Sequence, residues 1–274
     1  MKCNINNNKS TQKDQENNSF MKDLSENFDK YIINLSDEFT TGCRNCTGCC
    51  TMMGQDIILN PLDAYNAAKV FGNSSDIFAI KTTLALGYNS KVPLMMLSPT
   101  TVTKHCPMLK NGQCKLGSRK PTSCAIYPIG RSFYGNSEYS PENIRYFLPR
   151  SRNNFTCNKG SNKKYTVEEW LKLNGVPVQD PFFCDWMTAA EKIGNKIETL
   201  ENMLDEETFN KVLGAVWYTL YTNYDLSDDF YPQFSEKLED IYEYLEWNLE
   251  GRIMEDIEEE DFDDEIDDNE ESDE

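Results

Sequence analysis

Four cysteines stand within eight residues in the stretch TGCRNCTGCC at 41–50, and this density constrains the chain more than any other feature. Cys43, Cys46, Cys49 and Cys50 have the spacing C-x2-C-x2-C-C. Two-residue gaps let a tight turn aim successive thiolates at one centre while backbone amides donate to sulfur, as in zinc knuckles and ferredoxin loops. Cys49 and Cys50 are direct neighbours. Adjacent side chains tend to diverge, so these two are expected to serve different centres.

Four more cysteines follow in loop-like sequence: Cys106, Cys114, Cys124 and Cys157. Cys106 precedes Pro107, and a remote Cys-Pro is how bacterial ferredoxins complete a cluster begun by an x2-x2 run. Eight cysteines between 43 and 157 suffice for two four-ligand sites, or for one site with spare thiols. The remaining two, Cys3 and Cys184, read as incidental and as core; Cys184 sits among aromatics in PFFCDWM.

The competing readings are a reduced, buried set without metal, and disulfides. Buried thiols do behave as small hydrophobes, but eight of them in Gly- and Pro-rich loops fit that poorly. The N-terminus, MKCNINNNKSTQKDQENNS, has no apolar segment of the kind an export signal needs. A cytoplasmic, reducing location is therefore expected, where dense cysteine spacing points to metal. Closed four-cysteine sites suit zinc. The x2-x2 run with a distant Cys-Pro suits an iron–sulfur centre, 4Fe-4S being slightly favoured.

His105, the only histidine, cannot build a His-rich catalytic zinc site and reads as a loop residue beside Cys106. Arg119, Lys120 and Arg131 flank the cysteine loops. They either balance thiolate charge, since four thiolates around a divalent ion leave -2, or are ordinary surface charges. Met52, Met53, Met95 and Met96 read as packing rather than soft-metal ligands.

Charge divides the chain. Its net value is -19, yet residues 255–274 alone hold 15 acids and no base, so the remainder is near -4. No strongly basic footprint marks a nucleic-acid binder. The most apolar run, VLGAVWYTLY at 212–221, is too short to span a bilayer, and no membrane association is expected.

The chain is expected to be organised as a disordered tail (1–19), a cysteine-cluster metal-binding domain (20–175), a helical region packed on it (176–254) and a disordered acidic tail (255–274). Helical spacing of Phe20, Leu24, Phe28, Tyr31, Ile32 and Leu35 predicts a helix over 20–39. QDIILN predicts a strand. Asn60-Pro61 and Gly72 bracket a helix as cap, first residue and stop. SDIFAIKTTLALGYN predicts another helix, KVPLMMLSPTTVT a strand, 106–130 loops, and NIRYFLPRS a strand. Thr166 and Glu169 form a capping box. Helices follow at about 182–203, 206–224 and 234–255. The fold class is α+β, predominantly helical, with a few short strands and a Cys-rich loop region organised around metal.

The order CRNCTGCC, CPMLKNGQC, KPTSCAIYP and then CNKG before YTVEEWL resembles the YkgJ-type cysteine-cluster family, known as a zinc- or iron-chelating domain, over roughly residues 40–175. The resemblance implies that Cys43, Cys46, Cys49, Cys50, Cys106, Cys114, Cys124 and Cys157 are the shared metal ligands. The chain departs from the family pattern at Lys120 in place of an Arg, at Ala125 in place of the Arg after Cys124, and at Gly117 in place of an aromatic. The functions implied are zinc and/or iron–sulfur binding through these eight cysteines, or a redox or electron-transfer role. The resemblance extends to flagellin lysine N-methylases, which implies an S-adenosylmethionine-dependent protein lysine N-methylase as the enzymatic alternative. Only GRSFYGNS (130–137) offers even a weak nucleotide loop for that. The partner or substrate is a protein that the sequence does not specify.

Overall fold

A computed structural model of the chain describes residues 23, 26–41, 47–51, 53, 57–72, 83–87, 90–100, 102–133, 138–148 and 163–263, with backbone alone at 83–87, 90 and 252–263. Helix and strand are mixed, helix predominates, and the sheets are small and antiparallel. The chain forms two compact units, each discontinuous in sequence. One comprises Met1–Gly48 and Cys124–Asp180; the other comprises Cys49–Ser123 and Pro181–Glu274.

The first unit holds β1 (Ile32–Ile33), β2 (Glu38–Thr41), β8 (Gly130–Phe133), β9 (Ile144–Phe147), β10 (Lys163–Thr166) and helix α4 (Val167–Leu173). Its sheets run β1-β9-β8 and β10-β2. The expected helix over 20–39 is not formed from Phe28 onward: a short 3-10 turn at Phe28–Lys30 leads into β1 and β2. The reason is tertiary. Ile33 opposes Tyr146 across the β1–β9 ladder, and Phe39 packs edge-on against Trp170 with centroids 6.0 Å apart. Two adjacent β-branched isoleucines accept a pleated surface readily. Trp170 is 2% exposed, and its indole N–H donates to the Ile126 carbonyl at 2.9 Å. The Thr166–Glu169 capping box forms as read. In the same unit Arg131 pairs with Asp180 at 2.6 Å, with side chains only 7% and 13% exposed.

The second unit is built on a sheet of order β3-β5-β4, from β3 (Ile57–Leu59), β4 (Thr83–Gly87) and β5 (Ser90–Leu97). β5 is central, and Val92, Leu94, Met95 and Leu97 are buried along it. The segment expected as a helix over 75–89 is strand β4 where it is described, because Thr83–Gly87 pairs with Ser90–Leu94. Helix α2 (Pro61–Phe71) begins with Asn60 accepting from the Asp63 amide and ends at Gly72 with φ +79°, a left-handed stop that favours glycine. Helix α5 (Pro181–Met203) lies along β5 and buries Phe182, Trp186, Ile193, Ile197 and Leu200 on one face. Helices α6 (Glu206–Tyr221) and α7 (Phe230–Asp263) complete the unit. Each of Ile193, Ile197, Leu200, Leu220 and Leu245 is essentially inaccessible and contributes about 1.5–3 kcal/mol of transfer free energy. The acidic segment expected to be unstructured from 255 is helical through Asp263. Glutamate is a good helix former, so the charge run does not end the helix. Among the described residues no helix is long and apolar enough to cross a membrane.

Candidate functional site

The second unit contains four of the eight expected ligands, and backbone hydrogen bonds explain how they are placed. Cys49 and Cys50 lie on the single-turn helix α1 (Gly48–Thr51). The Cys106 amide donates to the Cys50 carbonyl at 2.7 Å, and the Met53 amide donates to the Lys104 carbonyl at 3.0 Å. These bonds tie the exit of α1 to a segment more than fifty residues away. That segment is itself folded by Thr100, whose amide donates to the His105 carbonyl and whose hydroxyl accepts from the His105 amide at 3.1 Å. Lys104 turns it with φ +57°.

The chain after Cys106 then doubles back. The Leu109 amide donates to the Cys106 carbonyl, closing a turn. β6 (Leu109–Lys110) and β7 (Gln113–Cys114) form a hairpin through Asn111 and Gly112, with φ of +52° and +72°. Two positive φ values in a two-residue loop make a turn whose twist matches its strands. The register sets Cys114 opposite Leu109. The sequence reading took 106–130 as loops and missed this hairpin; Asn111-Gly112 between Leu-Lys and Gln-Cys is the signal that marks it.

The thiols of α1 and the doubled-back segment meet. The Cys49 thiol donates to the Cys50 sulfur, and the Cys50 thiol donates to the Cys106 sulfur. The bond to Cys50 holds Cys49 well above the usual thiol range. Cys50 is pushed up to about 11, first by its bond to Cys106 and further by burial and by like charge at Cys106 and Cys114. Each proton is thus retained because its loss would place a thiolate against other sulfurs. Cys49 and Cys50, expected to serve different centres, are coupled to each other through their thiols. Among the described residues, no three or more His, Cys, Asp or Glu side chains are grouped so as to hold a metal ion.

Cys124, half-buried on helix α3 (Thr122–Ile126), belongs to the first unit. Cys43, Cys46 and Cys157 lie outside the described residues, as does Cys3. Cys184 is buried in α5, and Met53 and Met95 are buried too, in accord with their reading as packing. Arg131 is not a loose counter-charge for thiolates, because it is paired with Asp180. The weak nucleotide-loop reading of GRSFYGNS fails at its start. Gly130–Phe133 is strand β8, and a Cβ on Gly130 would meet the Phe147 ring at 2.2 Å.

One supporting contact went unread in the sequence. Asp63, 6% exposed, accepts from the Thr122 amide at 3.0 Å and from its hydroxyl at 3.1 Å. It thereby anchors the end of the Cys106–Thr122 segment to α2. The spacing Asn60-x-x-Asp63, a capping box in the structure, was the available signal.

No family model, no curated protein and no solved structure matches this chain.

Proposed function

We propose that the chain is a cysteine-cluster metal-binding protein of the kind the YkgJ-type resemblance implies. Cys49, Cys50, Cys106 and Cys114 hold one centre, and the resemblance implies Cys43, Cys46, Cys124 and Cys157 as further metal ligands. The observation that supports this reading is the thiol row of Cys49, Cys50 and Cys106, with the charge of Cys114 acting on it. Sulfur set against sulfur raises the cost of ionisation, and a soft cation removes that cost by turning mutual repulsion into shared coordination. The donor set, all thiolate, fits zinc or an iron–sulfur centre, the latter slightly favoured. When bound, zinc would brace the loops, and an iron–sulfur centre would add one-electron chemistry. The residues themselves do the positioning: the Cys106 amide fixes the Cys50 carbonyl, and the Asn111-Gly112 turn returns Cys114 towards the row.

The test compares bound metal in Cys50→Ser and Cys106→Ser with the parent and with Cys184→Ala, a core variant. Both serine variants should lose a metal centre while Cys184→Ala keeps it. Full metal content in both serine variants would refute the reading.

A further inference from the structure

Cys50 and Cys106 meet the requirements of a chemistry other than shared coordination. A disulfide needs two Cα atoms no more than about 7 Å apart and side chains that converge. The Cys106 amide donates to the Cys50 carbonyl at 2.7 Å. Standard bond lengths from that nitrogen and that oxygen back to their own Cα atoms then put the two Cα atoms within about 7 Å of each other. The side chains converge as well, because the Cys50 thiol donates to the Cys106 sulfur. A second backbone bond, from the Met53 amide to the Lys104 carbonyl at 3.0 Å, ties the same two stretches of chain together.

The alternative pairings are poorer. Cys49 is coupled to Cys50, but joining two neighbours closes a small ring through the peptide bond between them and strains its planarity. Cys114 acts on Cys50 through charge, whereas the hydrogen bond of the Cys50 thiol goes to Cys106. Access differs along the pair too. Cys50 is half-buried and Cys106 is buried, so a small reagent meets Cys50 first.

We propose that Cys50 and Cys106 form a reversible disulfide, made by exchange with a small-molecule disulfide such as oxidised glutathione. The Cys50 sulfur gives up its proton, attacks the small disulfide and bonds to one of its sulfurs. The other half leaves as a thiolate and takes up a proton. The Cys106 sulfur then loses its proton and attacks the Cys50 sulfur, the protein S–S bond forms, and the second half leaves as a thiol. Two electrons pass from the cysteine sulfurs to the small disulfide, which ends as two thiols. Excess small thiol reverses both steps. The consequence for metal rests on the function proposed above: the bridge removes two of the thiolates that hold the centre, so bridge and metal exclude each other, and the pair switches the centre with the redox state of its surroundings.

The experiment equilibrates the full-length protein, folded, reduced and stripped of metal by a chelator, with mixtures of oxidised and reduced glutathione under nitrogen. Acid quenching, alkylation and peptide mass spectrometry identify the bridges. The Cys50 thiol is held protonated, which slows exchange, so the end point is read and not the rate. A Cys50–Cys106 bridge should predominate. It should return to thiols when reduced glutathione is in excess, persist in Cys49→Ser and vanish in Cys106→Ser. A predominant Cys49–Cys50 or Cys50–Cys114 bridge, bridges spread evenly over all the cysteines, a bridge lost in Cys49→Ser, or no bridge in the most oxidising mixture would overturn the proposal. The same equilibration with excess zinc should yield several-fold less bridge. Equal bridging with zinc present would contradict the metal reading of these thiols and leave the disulfide pair standing.

Discussion

The thiol row makes a quantitative prediction about pH. In the metal-free protein Cys49 and Cys50 are held as neutral thiols, Cys49 by its bond to Cys50 and Cys50, up to about 11, by its bond to Cys106. Metal binds thiolate, so loading the site must displace at least these two protons at neutral pH. Each displaced proton raises the apparent binding constant tenfold per pH unit, so two give a rise of about 100-fold per unit. The sign follows from the raised values. Affinity climbs with pH through the whole neutral range and falls as the solution is acidified. The assay is anaerobic titration with cobalt(II), read by its thiolate charge-transfer absorption and repeated between about pH 6.5 and 7.5. Cys50→Ser should lower the slope by about one proton. A slope below one proton per metal ion, or a slope unchanged in Cys50→Ser, would refute the placement of these thiols in the site.

Three further outcomes are expected. Asp180→Asn removes the carboxylate that faces the largely buried Arg131. It should cost about 3–5 kcal/mol in denaturant unfolding, and a loss below about 1 kcal/mol would show that the pair is not the anchor it looks like. Trp170→Phe deprives the Ile126 carbonyl of its indole donor. It should cost about 1–3 kcal/mol before any cavity term, seen as a lower unfolding midpoint; an unmoved midpoint contradicts it. Deleting residues 255–274 should leave metal content intact, because the tail holds no cysteine; metal analysis of the truncated protein checks this, and lost metal would tie the tail to the site.

Much of the helical framework was legible because its signals are local. Asn60-Pro61 and Gly72 bracket α2, and Thr166 with Glu169 opens α4, as their side-chain chemistry dictates. The apolar periodicity over 182–203 and 206–224 reports faces that α5 and α6 do bury. What failed depends on partners distant in sequence. Phe28 to Leu35 has helical spacing, but Ile32 and Ile33 pair with Phe147 and Tyr146 more than a hundred residues away. Thr83–Gly87 could be read either way by period and became a strand because Ser90–Leu94 turns back on it.

The candidate site shows the same division. The cysteines stand out in the sequence by spacing alone. The meeting of Cys50 with Cys106 does not, because one backbone bond between residues 56 positions apart produces it. The Asn111-Gly112 hairpin was readable and was missed: glycine- and proline-rich sequence around the cysteines suggested irregular loops, while the turn chemistry called for paired strands.

Protein purified without oxygen, assayed for iron, zinc and acid-labile sulfide with a visible spectrum of the same sample, puts the proposed metal centre to the test. A stoichiometric thiolate-bound metal is expected, as zinc in a colourless sample or as iron with sulfide and a broad band near roughly 400 nm. Protein that is folded, fully reduced in its thiols and free of both metals would contradict it.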